Sequence, residues 1–146
     1  MFKNERKPRS HYPDYFIDSR LEIKKSSKVE GLGVFAKEKI ERCELIESSP
    51  AILFNKSIII DWYDEYQTRH ILHDYAFTWN LNGVCAVSQG YGGLYNHHNE
   101  ANIAFDQNEK LQSLEFVTIK SIMPGEELLL RYVSKQKLWF QSNIKK

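Results

Sequence analysis

Asn96-His97-His98-Asn99-Glu100-Ala101-Asn102 gathers three amides, two imidazoles and a carboxylate in seven residues, just downstream of Gly92-Gly93. The set is rich in hydrogen-bond donors and acceptors but holds no nucleophile and no charge relay. It therefore reads as a binding knot rather than a hydrolytic centre. Adjacent histidines suggest a metal at first sight. On an extended chain, however, His97 and His98 point to opposite sides, and His70 and His73, at i, i+3 spacing, likewise lack a third ligand nearby. No metal is expected, and histidines satisfied by backbone hydrogen bonds are the plainer reading.

The chain on either side of the knot reads as short strands joined by tight turns. Downstream, Ile103 and Phe105 alternate with polar residues, 106–110 turns the chain, and Leu114 to Ile119 returns it. Pro124-Gly125 marks a further turn before the apolar run Leu128-Leu129-Leu130, a short buried strand ending at Tyr132. A terminal helical turn over 134–140 would pack Trp139 and Phe140 back on the domain. Upstream, Asn80, Asn82 and Gly83 form a turn between Ala76–Trp79 and Val84–Val87, which is hairpin grammar. From Ser57 to His73 the apolar spacing becomes helical, with Ser57 suited to cap the start of one helix or two short ones. The triplet Ile58-Ile59-Ile60 would suit a strand equally well.

Nearer the N-terminus, Leu21 and Ile23 alternate with charged residues, and 25–28 is a polar turn. Gly31-Leu32-Gly33 then runs straight into Val34-Phe35-Ala36, a plausible short strand. Two glycines one residue apart allow a positive φ or a close backbone approach, and they serve equally well as a bare turn. The β-branched and aromatic residues after Gly33 oppose the helix that a dinucleotide fingerprint needs. Glu44–Ile46 and Ala51–Phe54 supply two strand candidates separated around Pro50.

At 146 residues the chain has the length of one domain, which buries roughly 70% of its unfolded surface. Residues 1–14 carry Pro8, Pro13 and several charges and form an extended or mobile arm; the domain occupies 15–146. The arm is locally basic, with Lys3, Arg6, Lys7 and Arg9 against Glu5, and reads as a solvated tail. A net charge of +1 provides no strong basic field, so direct nucleic-acid binding is not expected. No apolar run approaches a membrane span and no secretory segment opens the chain, which points to a cytoplasmic protein, or a nuclear one where the cell has a nucleus. Cys43 and Cys85 lack paired spacing and read as buried free thiols. Asp61, Asp64, Glu65 and Asp74 outnumber Arg69 in an aromatic tract that could receive a basic peptide or simply form a solvated face over the core.

Taken in order, Gly31-Leu32-Gly33-Val34-Phe35-Ala36, then Asn96-His97 with Asn102, then Gly125-Glu126-Glu127-Leu128 with Tyr132, the motifs resemble those of the SET-domain protein lysine methyltransferases. The similarity spans about residues 20–140 and is nearest to the compact bacterial and viral members, with the family's insert reduced to the tract around 57–80. It implies a mainly β SET fold (a β-clip of several small sheets with short helices) and a C-terminal segment threaded beneath the 92–102 loop as a pseudoknot. It also implies S-adenosyl-L-methionine as cofactor, held by Gly31, Leu32 and Gly33, by Asn96 and His97, by Tyr132, and by Trp139 stacking on the adenine. Tyr132 is then the catalytic tyrosine, and Tyr75 lines the lysine channel with it.

The implied reaction is methylation of a lysine side chain in a protein substrate, a histone or another basic protein. The alternative is a non-catalytic interaction module on the same fold, and the compact relatives also make a homodimer an expectation. The chain departs from the family motif at His98, Asn99 and Ala101, and carries Ser134 where an aromatic is common.

Overall fold

The computed structural model describes residues 7–80 and 82–131. Tyr132, Ser134, Trp139 and Phe140 lie outside the described residues, as does the part of the chain that would complete the pseudoknot.

Short strands dominate, as the alternation predicts. β1 (Phe16–Ile17) and the two-stranded ribbon β2 (Leu21–Lys25) with β3 (Leu32–Ala36) lead into the long β4 (Leu45–Asn55). The helix α1 (Ser57–Tyr66) and a 3-10 turn at Ile71–Asp74 follow. β5 (Ala76–Thr78) and β6 (Val84–Ser88) form the expected hairpin, with Ala76 opposite Val87. β7 (Asn96–His97), β8 (Ile103–Asn108), β9 (Ser113–Thr118) and β10 (Leu129–Leu130) complete the larger sheet, in the order β5-β6-β4-β9-β8-β10-β7 with β1 on β4.

Two local expectations change and one open alternative is settled. The two strands foreseen around Pro50 are one. β4 pairs with β9 as far as Pro50 and with β6 from Ala51 onward, so proline, which has no N–H to donate, sits where the pairing is handed over. Ser57 does not cap α1. It is the first helical residue, and its N–H is accepted by Asn55 Oδ1 at 2.9 Å. The triplet Ile58-Ile59-Ile60 is helical, yet Ile59 alone is buried on α1, against Ala76 and Cys85.

The arm is engaged where it is described. Arg9 Nε donates to the buried Glu115 Oε2 at 2.9 Å, and its guanidinium also donates to the carbonyls of Pro13 and Asp14. The solvated-tail reading therefore fails for Arg9, because the carboxylate on β9 needs a partner once it is buried. Both cysteines are buried free thiols, and burial pushes the Cys85 thiol up to about 11. Among the described residues no helix is long and apolar enough to cross a membrane.

The core joins Val34, Ile46, Ile103, Phe116, Leu128 and Leu130, each fully enclosed. β10 is parallel to β7 on one side and to β8 on the other, so Leu129-Leu130 lies between the two arms of the 96–103 loop. Asn102 fixes it there: its Nδ2 donates to the Glu127 carbonyl at 2.9 Å, and its Oδ1 accepts from Leu129 N–H at 2.7 Å.

Candidate functional site

Beside that crossing lies a cleft of about 290 Å³, walled by Val29, Tyr75, Gly93, Tyr95, Asn96 and His97 among others. Its size is at the lower end of the range for small-molecule sites. Three residues singled out in the sequence meet there. Asn96 and His97 come from β7, and Tyr75 comes from the turn before β5, far from them in the chain. Tyr75 is 44% exposed, so its ring is open to the cleft and to solvent.

The glycine loop joins the site at one remove, with Val29 as its contribution to the wall. Asn96 Nδ2 donates to the Leu32 carbonyl at 2.9 Å and to Glu127 Oε2 at 2.8 Å. These two bonds use both hydrogens of the amide and leave Oδ1 as the remaining polar atom of the side chain. Gly31 takes φ +116°, while Gly33 is glycine for lack of space: a β-carbon there would overlap Glu127 Oε2 and come within 3.2 Å of Asn96 Nδ2.

His97 is neutral near physiological pH, because burial pushes its pKa down to about 4. His98 serves the loop itself, its Nδ1 accepting from Glu100 N–H at 3.0 Å, and Asn99 is exposed. The departures at His98 and Asn99 thus sit on the outward turn of the knot, while Asn96 and Asn102 face inward.

Two residues of the site escaped sequence reasoning. Glu127, 5% exposed, accepts from Ser26, Ser27 and Asn96. Burial opposes its ionisation, but the bonds from Asn96, Ser27 and Ser26 outweigh that and hold its carboxyl below the ordinary value. Its place in Gly125-Glu126-Glu127-Leu128 was visible, but its partners were not. Glu47, fully buried on β4, accepts from Tyr95 Oη, from Ser49 Oγ at 2.6 Å and from Tyr91 N–H at 2.8 Å, directly behind the cleft wall. Desolvation raises its pKa despite the opposing bonds from Ser49, Tyr95 and Tyr91. No pattern in the sequence marks a charged residue in the middle of a strand as buried.

The described residues lining the cleft include Asp74 and aromatic rings but neither lysine nor arginine. With His97 neutral, the wall suits a cationic ligand, since carboxylates and ring faces attract positive charge.

The SET-domain family profile matches residues 31–133. The chain is 30% identical over 125 residues to a histone-lysine N-methyltransferase of Schizosaccharomyces pombe specific for H3 lysine 37, covering 86% of this chain and 80% of that one. In structure it is similar to a Plasmodium falciparum protein assigned as a histone methyltransferase, with TM-score 0.63 and 25% identity over 85% of this chain and 99% of that one. It is also similar to ctPRC2 in an autoinhibited conformation bound to S-adenosylmethionine, with TM-score 0.66 and 20% identity over 88% of this chain but only 17% of the other, a likeness of fold alone.

Proposed function

The chain belongs to the SET-domain family of protein-lysine methyltransferases, and on that premise we propose that the cleft at Tyr75, Asn96 and His97 binds S-adenosyl-L-methionine beside the entry for the substrate lysine. The protein is an S-adenosylmethionine-dependent protein-lysine N-methyltransferase. The observation that carries the assignment of the cleft is the meeting of these three residues in one wall that holds no lysine or arginine among its described residues.

When bound, the cofactor supplies an electrophilic methyl group on a positively charged sulfur. Methyl transfer to an amine is an in-line displacement that needs no covalent enzyme intermediate, so the lack of a nucleophile in the 96–102 knot fits the reaction. This chain's residues orient and desolvate. The fixed amide of Asn96 presents Oδ1, and neutral His97 adds no charge that would repel a sulfonium. The Tyr75 ring borders the path of the lysine stem, where exclusion of water favours the uncharged amine. Gly31 and Leu32 act through the loop that Asn96 holds. Tyr132 is assigned the position facing the amine, and Trp139 the adenine, by family resemblance.

For the substrate we favour a histone or another basic protein. The specificity of the fission-yeast relative supports this, as does the face of α1, where Asp61, Asp64 and Glu65 stand among exposed Trp62, Tyr63 and Tyr66. Acidic groups and ring faces together suit lysine- and arginine-rich peptide.

Calorimetric titration with S-adenosylmethionine tests the cleft; absence of binding at sub-millimolar concentration would remove the assignment. Asn96→Ala should weaken binding by about 1–3 kcal/mol, because it leaves the Leu32 carbonyl and the Glu127 carboxylate each short of a donor. Methyl incorporation into mixed core histones, compared between wild type and Tyr132→Phe, tests the assigned role of Tyr132. Equal rates would withdraw it.

A further inference from the structure

We infer that Glu127 is a positioning residue for the cofactor: a buried acceptor-only clamp that ties the 26–31 loop and the start of β3 to Asn96 and so sets one wall of the cleft. The inference rests on the cofactor assignment just made and adds the residue that holds that site in register.

The geometry converges on one carboxylate from separate parts of the chain. Ser26 Oγ lies 3.0 and 2.9 Å from its two oxygens, Ser27 N–H and Oγ reach Oε1 at 3.0 and 2.9 Å, and Asn96 Nδ2 reaches Oε2 at 2.8 Å. The clamp extends outward through its partners. Ser26 Oγ in turn accepts from Lys28 N–H at 3.0 Å and Val29 N–H at 3.1 Å, and Val29 lines the cleft. Asn96 carries the connection to the Leu32 carbonyl. The backbone at Glu127 is fixed by the core, since Phe35 and Glu127 form an antiparallel bridge and Leu128 N–H donates to the Val34 carbonyl at 2.7 Å. The carboxylate is therefore held from behind while it holds the loop in front.

The chemistry demands a carboxylate rather than any polar group. The amide hydrogens of Asn96 and Ser27 can only donate, and they approach different oxygens of Glu127, so both oxygens must accept. A glutamine offers one acceptor and one donor. In either amide orientation its NH₂ faces a donor, against Ser27 N–H in one and against Asn96 Nδ2 in the other. Relief in the second case requires Asn96 to turn over, which breaks its bond to Leu32 and redirects Oδ1.

The test uses the full chain and S-adenosylmethionine, with Kd from calorimetry, KM and kcat from methyl transfer to histones, and folding followed by circular dichroism well below each midpoint. Glu127→Gln is expected to raise Kd and KM for the cofactor about tenfold or more while kcat at saturating cofactor changes less than about threefold. A purely structural role would instead lower the active fraction and leave KM alone. Glu126→Gln, next in the chain and exposed, should leave both constants at the wild-type level.

A folded Glu127→Gln variant with wild-type Kd and KM overturns the inference. If that variant does not fold, the Ser26→Ala, Ser27→Ala double variant replaces it; several-fold weaker binding supports the clamp and unchanged binding overturns it. A wild-type chain that fails to bind the cofactor overturns the cleft assignment itself, an outcome distinct from the failure of Glu127 alone.

Discussion

Gly33 shows how one position can be right for a reason the sequence does not display. A Gly-x-Gly motif suggests a backbone approached by a ligand, yet the space a β-carbon would need is taken by a carboxylate of the same chain. Glu127 is itself fixed by bonds from Ser26, Ser27 and Asn96 and cannot swing aside cheaply. Gly33→Ala should therefore destabilise the fold by about 1–3 kcal/mol, the usual range for overpacking, and weaken cofactor binding as well. Chemical denaturation reads the first effect, and an unshifted midpoint would contradict the crowding. Asn96 stood out in the sequence as a candidate binding residue, but the direction of its amide did not, since both of its side-chain hydrogen-bond partners lie at least 31 residues away along the chain.

Among the elements, α1 is secured by little. Its sequence alternates between two readings because an isoleucine triplet satisfies both a strand and a helix. The outcome was decided by what lies beneath it, a small cluster of Ala76 and Cys85 that accepts Ile59. Ile59→Ala should cost about 2–4 kcal/mol, whereas Ile58→Ala, at a site 48% exposed, should stay within about 0.5 kcal/mol of wild type. Urea unfolding of the two variants separates them, and equal losses would mean that the helix is buried on a different face. The hairpin β5–β6 and the pairing of β8 with β9 were legible, because alternation and turn residues are local and pair strands that follow each other, but 106–108, expected in the turn, continue β8 to Asn108. β4 was not, because its change of partner at Pro50 depends on two strands from later in the chain.

At the scale of the whole molecule, two buried carboxylates give stability opposite dependences on pH. Glu127 has a lowered pKa, so its contribution is present above about pH 4.5, the ordinary carboxyl value, and is lost as pH falls through its folded pKa. Glu47 has a raised pKa, so its contribution is complete below about pH 4.5 and is lost as pH rises through the folded value. The difference in unfolding free energy between wild type and Glu47→Gln should therefore be most favourable to wild type below about pH 4.5 and fall as pH rises toward neutrality. Denaturation at a series of pH values checks the sign; a difference that is flat or widens with pH would show that Glu47 is not desolvated in the folded state.

The sequence by itself determined the strand-and-turn grammar, the apolar runs that supply the core, the membership of the chain in its family and the choice of Asn96 and His97 as candidate site residues. Those features rest on local periodicity, on turn chemistry and on motifs whose order survives in one dimension. Tertiary structure alone decided that Leu129-Leu130 runs between the arms of the 96–103 loop, that Tyr75 meets Asn96 in one cleft, and that Glu127 is the clamp between loop and knot. Each of these is a contact between residues distant in the chain. A carboxylate at position 127 reads as an ordinary surface charge until folding removes it from water and surrounds it with donors.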